Sequence, residues 1–482
     1  MKTVIVGAGL TGLSAGIHLA RKGAEVDIYE RAPWAGGVCT AWRRSGYRFD
    51  GCIHWMVGLK PGDGFYRMYR EVEALGADTV SHFGEFLLQE IGGTLYKIPM
   101  ETEAFRAFLK GISPEDAAAV DSLCNDIGKV ARVRSLFPLI EGPADVLHLF
   151  SDMGGFRAMM RYSRQTMAEY AAAFQSPLIR AILLNLMSGE FAVSGLVMML
   201  GTRMGKNAGY PLGGAEDVIR RMERALSDAG GRLHLNTSVE EILVENGRAA
   251  GVRTREGEAR ADCVIAACDM DTVLHKLLKG EHPHPQLDQM LREETLFDPL
   301  ALVSFGVKKR FGIPYDAASY ECAIATSPDT KAEGFSLRSF DFDPSAAPPG
   351  KSSVMAMLTA PLPYWETLRK EDTEGYQEAK KRLAADVAAE IEKRFPGFTA
   401  EIEVTDVSTP ATYVRLNSLY KASFEGFAPT PRAFQKRIEP TVPGVSGLLL
   451  AGQWMLPGGG ICTAVMSGRD AAKAAAKGLK RR

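Results

Sequence analysis

A glycine-rich turn between an apolar strand and a helix, close to the start of the chain, constrains the fold more than any other feature. Residues 2–6 are mostly apolar, as in a buried strand, and Gly7, Gly9 and Gly12 follow at the start of a helical pattern. In such a turn the first glycine permits the tight bend, the second lets the backbone approach a pyrophosphate, and the third lets helix and strand pack closely. The helix N-terminus then faces the negative phosphates. We predict a dinucleotide-binding unit here.

The segment that follows supplies the acidic residue that this type of unit uses. Residues 25–29 have the pattern of a second strand, and Glu30 ends it. A carboxylate at this position accepts hydrogen bonds from ribose hydroxyls and repels a 2′-phosphate. A glycine triplet alone is weak evidence, since any glycine-rich turn supplies one. Strand, turn, helix, strand and acid in this order are a much more specific signal.

Two further glycine clusters extend the predicted site. Gly36 and Gly37 would bring a second stretch of backbone against an extended cofactor, a contact that nicotinamide-binding domains lack. Near the other end of the chain, a strand-like run at residues 447–451 leads to the glycine-rich residues 457–460 and a helix of small residues. The N-terminus of that helix would place a positive dipole end against a developing negative charge.

Matching motifs therefore lie at both ends and in the middle of the chain. They are Gly7 to Gly12 with Glu30, Gly36-Gly37, Phe49-Asp50-Gly51, Tyr210-Pro211-Leu212-Gly213-Gly214, Leu450-Ala451-Gly452, Pro457-Gly458-Gly459-Gly460 and Ser467-Gly468-Arg469. By these motifs the whole chain resembles FAD-dependent flavoproteins of the amine-oxidase superfamily, in particular the branch of bacterial phytoene desaturases, carotenoid isomerases and retinol saturases. The Tyr-Pro-x-Gly-Gly and Pro-Gly-Gly-Gly elements point to that polyene branch.

The resemblance implies an α/β fold, with a discontinuous Rossmann-like FAD-binding domain that holds an inserted α+β substrate domain. We expect residues 1–70, 205–284 and 436–482 in the FAD-binding domain. Residues 71–204, a mostly helical insertion, and residues 285–435, a second insertion with several strands, would form the substrate domain.

The motifs and the resemblance together give the residues expected to bind FAD. They are Gly7, Gly9, Leu10, Thr11, Gly12, Glu30, Arg31, Gly36, Gly37, Val38, Val239, Gly452, Gln453, Gly460 and Ile461. By resemblance, the backbone of Val239 meets the adenine. His54, Trp55 and Cys462 are the candidates for the substrate side of the flavin. A packed core histidine and an inert buried thiol are the alternatives for His54 and Cys462.

Two departures from the family pattern bear on the chemistry. Gln453 stands where the family usually has Asp, at a position that resembles the one near the ribityl and phosphate region of the flavin. An amide still donates and accepts hydrogen bonds there. The family's Phe-Asp-x-Gly-Pro run appears here as the altered segment Phe49 to Trp55.

The sequence assigns no catalytic residue and no metal site. No motif for nucleophilic, metal or glycosidic catalysis is present, and no second strand-glycine-helix unit follows residue 200, so we expect no dedicated NAD(P)H domain. Hydride loss from an allylic carbon to a flavin needs little beyond apposition in a dry slot. We predict an FAD-dependent oxidoreductase that desaturates, saturates or isomerises an apolar polyene or isoprenoid-type lipid. An amine oxidase, a porphyrinogen oxidase-like flavoenzyme and a non-catalytic flavin-binding protein are the alternatives.

The first insertion carries two patterns that each have two interpretations. Met, Phe and Leu are frequent between residues 153 and 204, where flexible thioethers suit both a pocket for an irregular apolar ligand and an ordinary core. Arg157, Arg161 and Arg164 recur at helical spacing beside them. This spacing is typical of a solvated basic face and also of a helix that docks on an anionic membrane.

Composition excludes several other classes. Lys and Arg number 57 against 58 Asp and Glu, and the net charge of −1 supplies no general field for nucleic acid. Seven scattered cysteines without a Cys-x-x-Cys pair favour a reduced, cytoplasmic setting. The first predicted strand begins at once, so we expect no signal or transit peptide. We expect a cytoplasmic protein with a hydrophobic small-molecule substrate and no nucleic-acid partner. Peripheral membrane contact is the second interpretation, and the oligomeric state stays open.

Overall fold

The computed structural model describes residues 1–76, 79–80, 84–136, 143–315 and 318–479. Within these ranges, no helix is both long and apolar enough to pass through a bilayer.

The strands of the described residues follow in chain order. They are β1 (Lys2–Val6), β2 (Glu25–Tyr29), β3 (Ala41–Arg44), β4 (Tyr47–Asp50), β5 (Met56–Val57), β6 (Thr79–Val80), β7 (Phe86–Ile91), β8 (Thr94–Pro99), β9 (Ala208–Pro211), β10 (Arg232–His234), β11 (Val239–Glu245), β12 (Arg248–Thr254), β13 (Gly257–Arg260), β14 (Cys263–Ala266), β15 (Leu300–Val307), β16 (Ala318–Ser327), β17 (Thr330–Ser339), β18 (Ser352–Thr359), β19 (Ile402–Ser408) and β20 (Leu448–Leu450).

The α-helices of the same residues are interleaved with them. They are α1 (Leu10–Ala20), α2 (Gly64–Glu71), α3 (Thr102–Ile112), α4 (Ala117–Ala131), α5 (Pro143–Arg161), α6 (Met167–Ala172), α7 (Pro177–Leu186), α8 (Val193–Met204), α9 (Gly214–Asp228), α10 (Pro285–Glu293), α11 (Leu362–Glu371), α12 (Thr373–Arg394), α13 (Pro410–Asn417), α14 (Pro431–Phe434) and α15 (Gly460–Leu479).

A parallel sheet with the strand order β10-β2-β1-β14-β20 forms the first core. Its central strand β1 pairs with β2 through Thr3 and Val26, and with β14 through Thr3 and Cys263. The strands come from the N-terminal part, the middle and the C-terminal part of the chain. The predicted discontinuous Rossmann-like domain is therefore confirmed.

Helices α1 and α15 join the two ends of the chain against this sheet. Nearly every residue of α1 is buried, and its Ser14 hydroxyl donates to the Val465 carbonyl of α15 at 2.8 Å. Thr11 Oγ1 donates to the Ala464 carbonyl at 3.0 Å. A Cβ on Gly468 would lie 2.3 Å from the Thr11 carbonyl oxygen, so only glycine lets these helices cross so closely.

A second, mainly antiparallel sheet has the order β19-β15-β18-β17-β16-β7-β8. Strands β7 and β8 belong to the first insertion and β15 to β19 to the second, so the two insertions share one sheet. The expectation of a mostly helical first insertion missed the β7–β8 hairpin. Helix α12 packs on this sheet through Leu383, Val387 and Ile391, which are spaced four residues apart and so share one helix face.

The Met-rich helices α5 to α8 contribute mainly to an ordinary core. Met167, Phe174 and Leu183 are fully buried, whereas Met160 is 69% exposed. Of the apolar side chains between residues 153 and 204 that the Met-rich pattern singled out, Met198 lines the cavity described below. The pocket-lining interpretation therefore applies to Met198, and core packing explains most of the pattern.

A buried polar network connects β4, the start of α9 and the loop between β17 and β18. The Arg48 guanidinium donates to Asp343 Oδ2 at 2.6 Å, and both side chains are only 1% exposed. Asp50, on the same strand as Arg48, accepts from the Tyr210 hydroxyl at 2.7 Å and from the Ala215 N–H at 2.8 Å. Arg48 also donates to the Tyr210 hydroxyl oxygen at 3.2 Å. Because buried charges are stable only when paired, these four side chains fix one another.

Position 214, beside this network, has room only for glycine. Its φ is +58°, and a Cβ there would lie 2.1 Å from Asp50 Oδ2 and 2.2 Å from the Tyr210 hydroxyl oxygen. For Gly214→Ala we expect the free energy of unfolding to fall by about 3 kcal/mol or more, since left-handed strain adds to overpacking. Denaturant unfolding of the purified protein measures the change.

Gly23→Ala is the matched control, because Gly23 has φ +79° and no atom within 4 Å of its ideal Cβ. That variant should lose only the strain of ~1–2 kcal/mol. Equal losses in the two variants would contradict the role assigned to the network.

Candidate active site

One cavity of about 730 Å³ runs along the carboxyl ends of the parallel strands and on toward the second sheet. Val6, Tyr29, Ala267 and Gly452, which end or follow four of the strands, lie on its wall. Open α/β sheets bind their ligands in the crevice outside the carboxyl ends of the strands. The cavity is therefore the candidate site for both cofactor and substrate.

Most of the site residues expected from the sequence lie on the wall of this cavity. They are Gly7, Gly9, Leu10, Thr11, Glu30, Arg31, Gly36, Gly37, Val38, His54, Trp55, Val239, Gly452, Gln453, Gly460, Ile461 and Cys462. Gly12 lies behind the wall, where a Cβ would be 1.9 Å from the Gly7 carbonyl oxygen. Gly12 thus serves the packing of α1 against the turn.

The turn between β1 and α1 leaves its backbone open to a ligand. Gly7 has φ +99°, and Gly9 precedes α1 with no side chain to cap the helix. Gly36 donates its N–H to the Ala8 carbonyl at 2.8 Å, which brings the second glycine pair beside the first. A Cβ on Gly37 would lie only 3.4 Å from Gly9 Cα. The first turn of α1 therefore begins at a part of the cavity wall that glycine backbone forms, and its N–H groups can bind a phosphate there.

Glu30 is held at the end of β2 by two backbone hydrogen bonds. Its Oε2 accepts from the Ala8 N–H and its Oε1 from the Ala32 N–H, both at 2.9 Å. Each oxygen keeps acceptor capacity for a further donor such as a ribose hydroxyl. Arg31 donates to the Ser418 hydroxyl at 2.6 Å, which fixes a cation on the same wall.

The glycine-rich turn at residues 457–460 brings the N-terminus of α15 to the cavity. Gly459 has φ +50°, and a Cβ there would lie 2.1 Å from the Glu425 carbonyl oxygen. Gly460 and Ile461 start the helix and line the cavity. The positive end of this helix dipole is thus available to a ligand.

These features fit FAD. The glycines at residues 7, 9, 36 and 37 suit a pyrophosphate, Glu30 suits a ribose, and the start of α15 suits an electron-rich ring at the far end of an extended dinucleotide. Bound FAD supplies a ring that accepts or donates hydride.

A turn at residues 51–55 brings the candidate substrate-side residues to the inner end of the cavity, away from Glu30. Asp50 Oδ1 accepts from the Cys52 N–H at 3.1 Å and from the Ile53 N–H at 2.9 Å. The other oxygen of Asp50 belongs to the buried network. The network therefore sets the position of this turn.

His54 is fixed through its backbone rather than through its ring. Its carbonyl accepts from the Tyr315 hydroxyl at 2.6 Å, whereas its buried Nε2 has no hydrogen-bond partner among the described residues. Burial lowers the pKa of His54 well below its usual value. The imidazole is therefore neutral, and its Nε2 is enclosed by the protein without a hydrogen-bond partner among the described residues.

The thiols at this end of the cavity are protonated. Hydrogen bonding to Cys39, followed by burial, raises the pKa of Cys52, and burial raises the pKa of Cys462 to about 11. Because the thiolate is the nucleophilic form, this favours the inert alternative for Cys462. Across the described ranges, no three His, Cys, Asp or Glu side chains are placed to hold a metal ion.

Apolar side chains also line the cavity. They are Met198 of α8, Leu300 and Leu302 of β15, Met357 of β18 and Phe424, and we call this group the apolar slot. Helices and strands from distant parts of the chain therefore contribute to it.

Glu425 is a functional candidate that the sequence analysis missed. It lies next to Phe424 on the cavity wall, and burial raises its pKa to about 7. The segment around it has neither a periodic pattern nor a motif, so no local signal marks it. The low-polarity surroundings that shift its pKa come from other parts of the chain.

A second cavity of about 710 Å³ adjoins the first. Val38, Gly51, Tyr413, Leu416 and Asn417 line both cavities. Each volume is within the ~300–1,000 Å³ that ligand pockets usually have. A long ligand thus has room beyond the cofactor.

The family described as flavin containing amine oxidoreductase has a model that matches residues 10–476. The chain belongs to this family. It is accordingly a flavin-dependent oxidoreductase with FAD as its cofactor. The resemblance to the amine-oxidase superfamily drawn from the glycine motifs is confirmed.

Curated relatives match the chain along almost its full length. The phytoene desaturase (neurosporene-forming) of Cereibacter sphaeroides is 26% identical over 510 residues, which covers 98% of this chain and 94% of the relative. The chloroplastic prolycopene isomerase of Arabidopsis thaliana is 24% identical over 499 residues, which covers 96% of this chain and 81% of the relative. Both names agree with the branch that the sequence motifs suggest.

Solved structures share the fold. An oxidoreductase from Methanosarcina mazei superposes with a TM-score of 0.57 at 20% identity, covering 98% of this chain and 100% of the other. The cyclohexylamine oxidase from Brevibacterium oxydans gives a TM-score of 0.58 at 16% identity, covering 99% of each chain. The predicted fold class is confirmed by these neighbours.

Glu30→Ala tests the part of the cavity that is expected to bind a ribose of FAD. We expect the Kd for FAD to rise roughly 10–100-fold, because hydrogen bonds to a charged group contribute about 1.5–3 kcal/mol. Titration of the apoprotein with FAD, followed by flavin fluorescence, measures the Kd. Glu25→Ala, at the exposed start of the same strand, is the control and should leave the Kd nearly unchanged. An unchanged Kd for Glu30→Ala would rule out this role.

Proposed function

We propose that this FAD-dependent oxidoreductase acts on an apolar polyene or isoprenoid-type lipid, by desaturation, saturation or double-bond isomerisation. The observation that carries the proposal is the apolar slot, whose Met198, Leu302 and Met357 line the same cavity as the residues expected to bind FAD. Such a slot excludes water from a reacting C–H or C=C bond and holds its ligand by apolar contact. The names phytoene desaturase and prolycopene isomerase among the relatives support the same class.

In this proposal the FAD-binding domain and the substrate domain have different roles. Residues 1–70, 205–284 and 436–482 hold FAD, and residues 71–204 and 285–435 supply the substrate slot. The pyrophosphate lies over the glycine turns, Val239 meets the adenine, and the flavin ring lies at Gly460 and Ile461. The assignment is supported by the cavity, whose wall passes through all these positions.

The residues of the slot orient the substrate and keep it dry. Neutral His54 and protonated Cys462 place no charge against an apolar chain. The second cavity, which shares Tyr413 and Leu416 with the first, takes the part of a long substrate that extends past the flavin. Positioning of this kind supplies much of the rate enhancement when no strong acid or base is required at the reacting bond.

Anaerobic incubation of the holoenzyme with candidate substrates tests the proposal. Linear polyenes in detergent are added to the oxidised and to the photoreduced enzyme, and primary amines are added in parallel. We expect a polyene to change its absorption spectrum, together with the flavin spectrum if net oxidation or reduction occurs. Turnover of amines with peroxide formation, and no conversion of any polyene in either redox state, would overturn it.

Met198→Arg examines the slot itself. A cation in the apolar wall should lower polyene conversion by more than about tenfold while FAD content stays the same, because burying an unpaired charge against an apolar ligand is costly. Met160→Arg is the control, since Met160 is 69% exposed and does not line the cavity. Equal effects of the two substitutions would contradict the slot assignment.

We also propose peripheral contact of α5 with an anionic membrane surface. Phe150 and Met160 are 68% and 69% exposed, and Arg157 and Arg164 lie on the exposed side of the same segment. Apolar and basic side chains together favour the interface of an anionic bilayer. The double variant Phe150→Ser/Met160→Ser should sediment less with phosphatidylglycerol vesicles than the parent, whereas Phe434→Ser, at an exposed site on α14, should not. No binding of the parent protein to these vesicles would refute this contact.

A further inference from the structure

The carboxyl side chains on the cavity wall differ in their hydrogen-bond and ion-pair partners. Glu30 accepts two backbone N–H groups at the end of β2. Glu240 pairs with Arg255 at 3.2 Å, and Asp269 accepts backbone N–H groups from two positions. No described residue donates a hydrogen bond to Glu425 or forms an ion pair with it. Glu425 is thus a half-buried carboxyl on the cavity wall without a partner among the described residues.

The Glu425 carboxyl lies close to the start of α15, where the flavin ring is expected. Its Oε1 lies 3.9 Å from the point that a Cβ on Gly460 would occupy, at the start of α15. The neighbouring Phe424 belongs to the apolar slot, like Met198. The carboxyl therefore faces the region where a substrate chain would lie beside the cofactor.

The surroundings of Glu425 favour proton exchange over a permanent charge. The titratable groups close enough to feel the charge of Glu425 are the thiols of Cys52, on the turn after β4, and Cys462, on α15. Both thiols are protonated, and no described cation pairs with Glu425. Burial therefore raises its pKa to about 7, so the acid and the carboxylate are both populated near neutral pH. A general acid–base group works best in this condition.

We infer that Glu425 is the catalytic residue that exchanges a proton with the substrate carbon. In desaturation one hydrogen would leave its carbon with the bonding electron pair, as hydride, to the oxidised flavin that the cavity would hold. The hydrogen on the neighbouring carbon leaves as a proton to a Glu425 carboxylate oxygen, and its bonding pair becomes the new double bond. In saturation the protonated carboxyl gives that proton to one carbon of the double bond, and the reduced flavin would supply hydride to the other carbon. In isomerisation it gives and retakes a proton at one double bond. This inference rests on the proposed function.

Infrared titration of the substrate-free holoenzyme tests the protonation state without turnover. We expect the C=O band of a carboxylic acid that disappears with a midpoint near pH 7, and that is missing in Glu425→Gln. Glu223→Gln is the matched control, because burial also raises the pKa of Glu223, which lies on α9 outside the cavity. The Glu223→Gln variant should keep the C=O band whose midpoint is near pH 7. Burial also raises the pKa of Asp269, to about 6, so its carboxyl adds a band with a lower midpoint. A component with a midpoint near pH 7 that survives undiminished in Glu425→Gln would overturn the inference.

Turnover of a polyene in deuterated water tests the chemical role. We expect Glu425→Gln to lower substrate deuteration or desaturation by roughly 10²–10⁴-fold, with FAD content and photoreduction unchanged, and Glu425→Asp to restore part of the loss. The rate of desaturation should rise with pH through 7, since the carboxylate is the acceptor, and the rate of saturation should fall.

These experiments distinguish a failure of the role assigned to Glu425 from a failure of the proposed function. A wild-type enzyme that converts polyenes, with Glu425→Gln equally active, would overturn only the role of Glu425. A wild-type enzyme that converts no polyene would overturn the proposed function and this inference with it. A large shift in the flavin reduction potential of Glu425→Gln with normal deuteration would assign Glu425 to the flavin and overturn its role toward the substrate.

Discussion

The ion pair between Arg48 and Asp343, together with the hydrogen bonds of Asp50, holds the functional architecture together. These groups are buried, so each must keep its partner, and the partners come from distant parts of the chain. One oxygen of Asp50 binds the start of α9 and the other binds the turn that carries Cys52 and His54. The same carboxylate thus fixes both the domain junction and the inner end of the cavity.

This constraint gives a structural meaning to two of the sequence motifs by which the chain resembles its family. The Phe49-Asp50-Gly51 run supplies the acceptor, and Gly213-Gly214 is glycine because a Cβ at Gly214 would overlap Asp50 and Tyr210. Neither motif needs to touch the flavin to matter for catalysis. They keep the slot aligned with the cofactor cradle, and small misalignments of a reacting bond are costly.

The sequence predicts the cofactor half of the molecule well because its signals are local. Strands β1 and β2, the glycine turn and α1 adjoin one another in sequence, and glycines at fixed spacing report on backbone geometry directly. The substrate half is harder. Strands β16 and β17 are rich in Ala, Ser and Glu, so their alternation is faint, and β7 pairs with β16 across more than two hundred residues. No local sequence pattern marks Glu425, because its raised pKa comes from burial by distant parts of the chain. The role of Asp50 depends on contacts with residues 210 and 215, which no spacing rule connects to it.

The charge distribution in the cavity agrees with the proposed substrate class. Where FAD is expected to place its ribose, Glu30 and Arg31 are fixed by hydrogen bonds. At the other end, burial keeps His54 and the thiols neutral and leaves Glu425 close to its titration point. A gradient from charged to neutral along one cavity suits a dinucleotide at one end and a lipid at the other.

A crystal structure of the holoenzyme with a linear polyene tests this central claim most directly. The account predicts the adenine beside Val239, the flavin ring at Gly460 and Ile461, and the polyene along Met198, Leu302 and Met357 with a carbon near the Glu425 carboxyl. A polyene bound outside this slot, or a flavin ring at the Val239 end, would contradict it.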